Sequence, residues 1–340
     1  MLLISSPRFE EHVTPPGHPE RPERAQVFDG VAASWREQGG KTSEPHQATR
    51  EELARVHAAG HLDRIESAAG KSSMLDADTF TSPESYEVAL LAAGAAVQAA
   101  EHALRTRETA FALVRPPGHH AERDKAMGFC LFNSVAVGAA AAIASGIERV
   151  AVVDIDVHHG NGTQWIFYDD PRVLYVSSHQ FPFYPGTGAA DETGTGNGKG
   201  FNVNIPMEAG STDADYDLVY RAIAAPVLEQ FRPELTLISA GYDAHEADPL
   251  ASMRMSASGY GRIVARLKTA AAKSGVLALV TEGGYDLPAL SDCLESTLSI
   301  LAVDIIGFSS ESQLTAPSAP RGERAVAAAR AANAPFWPGL

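Results

Sequence analysis

Residues 150–162 read VAVVDIDVHHGNG, and the fold can be built outward from this stretch. Its first four residues are apolar and three of them are β-branched, which is typical of a parallel strand covered on both faces. Asp154, Asp156 and His158 then alternate, so their side chains point to the same side of an extended segment. Two carboxylates and an imidazole at the end of a buried strand would repel one another or stay unsatisfied without a cation. The stretch therefore predicts a divalent metal site.

A simpler interpretation is that these polar residues only cap and turn the chain between a strand and a helix. Gly160 and Gly162 fit either interpretation, because glycine lets the backbone turn sharply away from a strand end. A single Asp-x-His would favour the simpler interpretation. The density of polar groups directly after a buried strand favours the metal site.

The composition limits the class of protein. The chain has 340 residues and a formal net charge of -15 at pH 7, which argues against nonspecific binding to nucleic acid and favours basic or polycationic partners. Cys130 and Cys293 supply neither a disulfide framework nor a paired-cysteine zinc motif. No signal-peptide pattern and no run of about 18 apolar residues is present. We expect a cytoplasmic protein without a membrane partner.

Apolar strands alternate with helical patterns along most of the chain. Strands are predicted at 2–4, 109–114, 149–153, 172–177, 201–205, 234–240 and 275–281, and helices at about 23–38, 82–105, 133–145, 213–230 and 257–273. This alternation predicts an α/β fold with a mostly parallel central sheet and helices on both faces. No linker-like tract divides the chain, so residues 1–340 are predicted to form a single domain with about 306–340 as a peripheral C-terminal segment.

Polar motifs follow four of the predicted strands. They are RPPGHH at 115–120, DIDVHH at 154–159, GYDAHEADP at 241–249 and EGGY at 282–285. Ligands of open parallel sheets collect beyond the carboxyl ends of the strands, so we expect all four loops at one edge of the sheet. Each motif alone is typical of a surface turn, whereas their joint placement indicates an active site.

The residue types in these loops fit metal-assisted hydrolysis. A catalytic zinc is usually held by three nitrogen or oxygen ligands and keeps an open position for water, and Asp156, His158 and Asp248 are predicted as these ligands. His119 and His120 carry imidazoles, which suit proton transfer to and from a metal-activated water.

Three further polar side chains complete the predicted site. Asp154 and Asn161 are available to hydrogen-bond the two imidazoles and set their tautomers. Tyr285 follows a Gly-Gly turn and offers a neutral donor to a developing oxyanion.

In combination these motifs resemble the zinc-dependent histone deacetylase superfamily, which also includes acetylpolyamine amidohydrolases and bacterial deacetylase-like proteins. The resemblance extends from about His18 to Tyr285. It is carried by HPERPERA at 18–25, RPPGHHA at 115–121, GFCLFN at 128–133, DIDVHHGNGT at 154–163, YPGTG at 184–188 and EGGYDL at 282–287. Asn161 stands where many class I members have Asp, so the sequence is similar to class II. The resemblance implies an arginase/deacetylase-like fold.

The resemblance also implies roles for the residues already singled out. It assigns one catalytic Zn²⁺ to Asp156, His158 and Asp248, the general base to His120, an electrostatic role to His119 tied to Asp154, and polarisation of the scissile carbonyl to Tyr285. A structural K⁺ is implied as well, bound mostly by backbone carbonyls of Asp154, Asp156, His158, Ser177 and Ser178.

The same resemblance predicts how substrate reaches the metal. Phe129 and Tyr184 would flank a narrow channel for an extended acylated amine, with Gly128 lining it. Met255 resembles the apolar gatekeeper of protein-lysine deacetylases, and Asp78 corresponds to a rim carboxylate that holds the substrate backbone.

The predicted function is therefore a zinc-dependent amidohydrolase that removes acetyl groups from N-ε-acetyl-lysine of a peptide or protein. The nearest alternative keeps the mechanism and takes a small acetylated polyamine. A binding protein without turnover would be expected to lack a metal ligand, the histidine pair or Tyr285, and this sequence keeps all of them. A binuclear manganese hydrolase of the arginase type would need further bridging Asp and His ligands, and these are not evident. The proline-rich first loop and the glycine-rich loop at 185–200 either leave the channel open or narrow it within a homo-oligomer.

Overall fold

The protein is built around a central sheet, seen in a computed structural model that describes residues 1–303 and 318–340. The strands of these residues are β1 (Leu2–Ile4), β2 (Lys41–Ser43), β3 (Ser73–Met74), β4 (Phe80–Thr81), β5 (Ala110–Ala112), β6 (Val150–Asp154), β7 (Val173–Gln180), β8 (Asn202–Met207), β9 (Leu235–Ala240) and β10 (Val276–Thr281). Eight of them form one parallel sheet in the order β2-β1-β5-β10-β9-β6-β7-β8, whereas β3 and β4 pair as an antiparallel hairpin.

Helices cover the sheet. They are α1 (Glu23–Glu37), α2 (Arg50–Ala54), α3 (Ala59–Glu66), α4 (Ser85–Thr106), α5 (Ser134–Ala144), α6 (Asn161–Phe167), α7 (Asp213–Val219), α8 (Ala225–Phe231), α9 (Ala257–Ala271), α10 (Leu287–Ala302) and α11 (Pro320–Asn333). A π-helical turn at Tyr220–Ala224 joins α7 to α8, and short 3-10 turns cover Pro7–Glu11 and Gly196–Gly198.

The central strand β6 contributes alternate side chains to two cores, one on each face of the sheet. Ala151 and Val153 of β6 pack with residues of α1 and α7 to α11. Val150 and Val152 of the same strand pack with residues of α2 to α6. A strand that is apolar on both faces can only be covered on both faces, so the predicted α/β architecture with helices on both sides of a parallel sheet is confirmed.

Several short elements were not predicted from the sequence. The edge strand β2 reads Lys-Thr-Ser and has no apolar pattern, because an edge strand faces solvent. α6 begins at Asn161, immediately after the metal-site motif. The polar motif that precedes it predicts a metal site, and this short helix was not predicted from the sequence.

The C-terminal helix α11 lies against α7 and β8. Ala325, Val326 and Ala329 are buried in the core beneath it, and the indole Nε1 of Trp337 donates to the Gly200 carbonyl at 2.8 Å. Residues 304–317, at the start of the segment predicted to be peripheral, lie outside the described residues. Within the described ranges, no helix combines the length and the hydropathy needed to cross a bilayer.

The order of the sheet explains where a site can form. β5, β10, β9 and β6 are adjacent and parallel, so the loops that follow them leave the same edge. These loops carry the four polar motifs, and their predicted convergence is confirmed.

Candidate active site

Three buried side chains meet beyond the ends of β6 and β9. One ligand atom each from Asp156, His158 and Asp243 lies within 4.8 Å of the others. Nδ1 of His158 is 3.2 Å from Oδ1 of Asp156 and 3.0 Å from Oδ2 of Asp243. Two carboxylate oxygens and one imidazole nitrogen are a donor set that suits catalytic zinc and leaves a position open.

The surroundings of this cluster also fit a metal ion. A methyl group added to Gly241 would overlap the Asp156 carboxylate, and one added to Gly283 would overlap the Asp243 carboxylate. These two glycines therefore leave the carboxylates room to turn inward. The backbone N–H of Gly283 donates to Oδ2 of Asp156 at 2.9 Å, and that of Val157 donates to Oδ1 of Asp243 at 2.8 Å, which holds both acids in place.

The electrostatics of the cluster call for a positive charge between the two acids. Burial by itself lowers the pKa of His158, but its hydrogen bonds to Asp156 and Asp243 raise it to about 10. Burial and the neighbouring Asp156 charge raise the pKa of Asp243. A divalent cation at the same point would neutralise both carboxylates.

The third predicted ligand, Asp248, stays a prediction. Asp248 does not lie in the cluster: its Oδ2 accepts from the backbone N–H of Tyr285 at 2.7 Å and its Oδ1 from that of Leu250 at 3.0 Å. Asp243 lies beside Asp156 and His158 because it stands three residues after β9, close to the sheet edge, whereas Asp248 lies farther along the loop.

The two adjacent histidines have different partners. Nδ1 of His119 is 3.0 Å from Oδ2 of Asp154, and Nδ1 of His120 is 2.7 Å from Oδ1 of Asn161. Asp154 also accepts from the Tyr175 hydroxyl at 3.0 Å. The predicted pairing of each imidazole with an orienting side chain is therefore present in the structure.

These partners drive the pKa values of the two imidazoles apart. Burial disfavours a charged His119, yet the carboxylates of Asp154 and Asp156 raise its pKa well above the ordinary value. Burial and the charges of His119 and His158 lower the pKa of His120 well below it. A charged imidazole thus stands beside a neutral one, and neighbouring groups with separated pKa values are typical of acid–base sites.

Close packing explains the glycines of the metal-site motif. A methyl group at Gly160 would overlap Oδ2 of Asp154, and one at Gly162 would overlap the Ala121 carbonyl. Gly160 has a φ of −74°, which any residue adopts. The sharp turn invoked from the sequence is therefore not the reason for this glycine, which is needed for space.

Glu282, in the EGGY motif at 282–285, is an orienting residue whose role was not predicted from the sequence. Its Oε2 accepts from the backbone N–H groups of Gly118 and His119 at 2.6 and 3.1 Å, and its Oε1 accepts from the Ser239 hydroxyl at 2.8 Å. Burial raises the pKa of this carboxyl to about 7. An acid directly after a buried strand was the available signal.

Tyr285 lies at the inner end of the site. Its side chain is buried, its ring meets Phe129 edge to face at a centroid distance of 5.7 Å, and the Arg24 guanidinium lies 5.1 Å from its ring centroid. Burial raises the pKa of the Tyr285 hydroxyl well above its ordinary value. The phenol is therefore protonated and can donate a hydrogen bond.

Aromatic rings surround the approach to the cluster. Tyr184 meets His120 edge to face at 5.1 Å, and 38% of Tyr184 is exposed. Gly128 and Phe129 both have positive φ, at 57° and 70°, and a side chain on Gly128 would lie 2.5 Å from Cδ2 of His120. The predicted channel residues Gly128, Phe129 and Tyr184 are thus gathered around His120 and Tyr285.

The two remaining predicted rim residues differ in placement. Asp78 is half-buried beside the channel: the backbone N–H of Gly128 donates to its carboxylate, and burial raises the pKa of that carboxyl. Met255 is fully buried in the core, and its backbone pairs with Ala244 and Glu246. The gatekeeper role of Met255 stays a prediction.

Ser177 and Ser178, the predicted potassium-site residues, lie on β7. Ser177 is the register partner of Asp154 on β6. The Ser177 hydroxyl is 2.8 Å from Nδ1 of His179, and that of Ser178 is 2.8 Å from the Tyr220 hydroxyl. Both side chains are thus satisfied within the protein, so only their carbonyls are open to a role with a cation.

The fold and the carboxylate–imidazole cluster define an α/β protein with a candidate metal centre at the carboxyl ends of its strands. The profile of the histone deacetylase domain matches residues 18–301. The chain belongs to the histone deacetylase family, whose members are hydrolytic deacetylases and amidohydrolases that are generally metal-dependent.

Individual relatives agree with this assignment. A protein of Archaeoglobus fulgidus named "Probable deacetylase" is 41% identical over 295 residues, which cover 84% of this chain and 81% of the relative. The histone deacetylase-like amidohydrolase of Pseudomonas aeruginosa is 44% identical over 247 residues, 70% of this chain and 64% of its own. The crystal structure of the HDA15 HD domain superposes with a TM-score of 0.91 at 34% identity and covers 99% of this chain and 97% of that domain.

Proposed function

We propose that this protein is a zinc-dependent amidohydrolase that removes acetyl groups from N-ε-acetyl-lysine. The observation that carries the proposal is the contrast between His119 and His120 beside the cluster of Asp156, His158 and Asp243. Two adjacent imidazoles whose pKa values are shifted in opposite directions, next to buried acids and a histidine that can bind a metal, are the parts that hydrolysis of an amide by metal-activated water requires.

The residues of the cluster would hold the metal. Asp156, His158 and Asp248 would each supply one ligand atom, and the bound zinc would polarise the amide carbonyl and lower the pKa of the attacking water. The backbone N–H groups of Gly283 and Tyr285 hold Asp156 and Asp248 in advance, and the Asp243 carboxylate beside His158 would orient that imidazole.

His120 would carry the proton. Asn161 Oδ1 accepts from its Nδ1–H, so Nε2 presents a lone pair that takes a proton from the water and later returns it to the leaving amine. His119 stays charged against Asp154 and stabilises negative charge that develops nearby. The Tyr285 hydroxyl would donate to the carbonyl oxygen as its charge grows.

The rim of the channel favours a cationic substrate. Asp76, Asp78 and Glu122 are close enough to Tyr184 for their charges to raise the pKa of its phenol, after the larger effect of burial. Negative charge at the entrance would attract the basic surroundings of an acetylated lysine. It would equally attract an acetylated polyamine, which is why the polyamine amidohydrolase stays as the second candidate.

A K⁺ ion would complement this site if the carbonyls of Asp154, Asp156, His158, Ser177 and Ser178 bind it, as the family resemblance implies. The pairing of β6 with β7 supports this, because it places Ser177 beside Asp154. The ion would stabilise the loop that carries two of the zinc ligands.

The test is to strip the protein with a chelator, restore zinc, and compare kcat/KM for an acetyl-lysine peptide with that for acetylated spermidine or putrescine. A tenfold or greater preference for the peptide supports the proposed substrate class, and the reverse preference supports the polyamine alternative. In Tyr285→Phe we expect kcat to fall by about 10² to 10³-fold. Turnover independent of zinc, or unaffected by Tyr285→Phe, would refute the mechanism.

A further inference from the structure

Glu122 is hydrogen-bonded to the residue that orients the proposed general base. The side-chain amide of Asn161 lies between two groups: its Oδ1 is 2.7 Å from Nδ1 of His120, and its Nδ2 donates to Oε1 of Glu122 at 2.6 Å. We propose that Glu122 is a positioning residue that selects the tautomer of His120 through the Asn161 amide. The proposal rests on the proposed function of His120 as the base.

The direction of the Asn161 amide decides which nitrogen of His120 carries the proton. An amide has an accepting end and a donating end. With Oδ1 toward His120, the ring must present Nδ1–H, and the lone pair is at Nε2. If the amide were reversed, Nδ2 would donate to Nδ1, the proton would sit on Nε2, and His120 could not accept a proton from water.

Asn161 cannot choose between these two directions by itself, because its two ends have nearly the same shape. Glu122 makes the choice, since a carboxylate accepts hydrogen bonds and cannot donate them. In the reversed amide, Oδ1 would face a carboxylate oxygen at hydrogen-bond distance and would be repelled.

The other groups near the amide nitrogen are weak substitutes. Nδ2 of Asn161 lies 3.4 Å from the Met127 sulfur and 3.5 Å from the His120 carbonyl. A thioether is a weak acceptor, and a contact of 3.5 Å is at the limit of a hydrogen bond. The short contact to Glu122 therefore supplies most of the preference for the amide orientation that turns Oδ1 of Asn161 toward His120.

The loop that carries Glu122 is held independently of its side chain. The backbone N–H of Glu122 donates to the Lys125 carbonyl at 2.9 Å, and its carbonyl lies 3.0 Å from Nδ1 of His57. The next carbonyl, of Arg123, accepts from the N–H of Ala58 at 2.7 Å. Substitutions at residue 122 therefore change the contact to Asn161 while the backbone anchors remain.

Three substitutions test whether the side chain at position 122 must accept a hydrogen bond from Asn161, apart from its charge and its size. Glu122→Gln keeps an acceptor, and we expect kcat within about threefold of the wild type. Glu122→Ala removes the acceptor without adding a donor, and we expect kcat to fall about tenfold. Glu122→Lys places a donor there, reverses the amide, and should lower kcat about 10²-fold or more. Any rise in KM from the lost negative charge near Tyr184 should appear in Glu122→Gln as well as in Glu122→Lys, whereas the fall in kcat should not, because that effect acts through Asn161.

A double variant tests the chain of contacts directly. In Glu122→Lys with Asn161→Asp, the new carboxylate accepts from both the lysine and Nδ1–H of His120. We expect the double variant to regain kcat to within about tenfold of the wild type, although Glu122→Lys alone is harmful. Asp124→Lys is the matched control, since it makes the same change of charge on an exposed position of the same loop and should leave kcat near the wild-type value.

The decisive measurement is the tautomer of His120 in the zinc-loaded protein, read from long-range ¹H–¹⁵N spectra of ¹⁵N-histidine-labelled protein and assigned by the signals lost in His120→Ala. We expect the Nδ1–H form in the wild type and in Glu122→Gln, and the Nε2–H form in folded Glu122→Lys. If Glu122→Lys does not fold, Glu122→Ala should show a mixture of both forms. The Nδ1–H form in every variant, or an equal loss of kcat in Asp124→Lys, would overturn the proposal.

This readout separates the inference from the proposed function. A wild-type protein inactive on every acetylated amine would refute the proposed deacetylase reaction. The tautomer change on replacing Glu122 would still show whether Glu122 sets the orientation of Asn161.

Discussion

At the scale of single residues, the assignment of the metal ligands depends on two aspartates five positions apart in one loop. Asp243 and Asp248 are both buried, but they serve different partners. Asp243 faces Asp156 and His158, whereas Asp248 accepts backbone N–H groups of Tyr285 and Asp286. We propose that Asp248 is the third zinc ligand, as the family resemblance implies, and that Asp243 orients His158.

This difference predicts distinct effects of two matched substitutions. Asp248→Asn removes the third proposed ligand, and we expect zinc to be lost on dialysis and activity to fall about 10²-fold or more. Asp243→Asn should keep about one zinc per chain and lower kcat through His158, to which Asp243 is hydrogen-bonded. Metal content by mass spectrometry on dialysed protein checks both, and zinc lost from Asp243→Asn but retained by Asp248→Asn would reverse the assignment.

At the scale of elements, glycines in two helices allow those helices to pack closely against neighbouring backbone. Gly94 lies inside α4, and a methyl group there would overlap the backbone carbonyl of His46. Gly138 of α5 approaches α4 in the same way, with an added methyl 3.0 Å from the Ala96 carbonyl. By contrast, Gly30 of α1 is exposed and has open space around it.

Replacing each of two helical glycines by alanine should therefore have opposite effects. We expect Gly30→Ala to raise the free energy of unfolding by about 0.5–1 kcal/mol, because alanine restricts the unfolded chain and favours the helix. Gly94→Ala should lower it by about 1–3 kcal/mol through overpacking. Urea unfolding followed by circular dichroism measures both, and a stabilised Gly94→Ala would show that α4 can move away from residue 46 at little cost.

At the scale of the whole molecule, a buried carboxylate joins distant parts of the chain. The Glu20 carboxylate accepts hydrogen bonds from Nε and Nη2 of Arg115, at 2.5 and 2.8 Å, and from Nη1 of Arg24, at 3.0 Å. Arg24 also donates to the carbonyls of Glu282 and Gly284. The N-terminal loop, α1, and the loops after β5 and β10 are thus tied together directly behind Tyr285.

This network predicts a pH-dependent contribution to stability. Burial opposes ionisation of Glu20, but the charges of Arg115, His12 and Arg24 hold its pKa well below the ordinary 4.5. A depressed pKa in the folded state means that the stabilisation is present above about pH 4.5 and is lost as the pH falls toward the folded-state pKa.

Glu20→Gln should remove this contribution. At pH 7 we expect the variant to be less stable by about 3–5 kcal/mol, because two buried guanidinium groups lose their counter-charge. The difference between wild type and variant should shrink as the pH is lowered below 4.5. Urea unfolding of both proteins across this range is the measurement, and a difference that stays constant with pH would contradict the assigned role.

Much of the architecture was determined by the sequence alone. Apolar runs and helical patterns are local properties of the chain, so β6, β9, β10 and the helices between them were predicted near their observed positions. The polar motifs after these strands were predicted to meet at one edge, because parallel strands end on the same side. Asp156, His158, the histidine pair and their partners Asp154 and Asn161 followed from that rule.

Only the tertiary structure decided contacts between residues that are far apart in sequence or ambiguous within one loop. It placed Asp243 beside Asp156 and His158, buried Met255 in the core, and brought Glu122 to Asn161. Loop conformation and side-chain direction depend on what the rest of the molecule packs against them, and no local pattern encodes that. The sequence therefore determined which chemistry gathers at the sheet edge, and the packed structure determined which atoms face one another there.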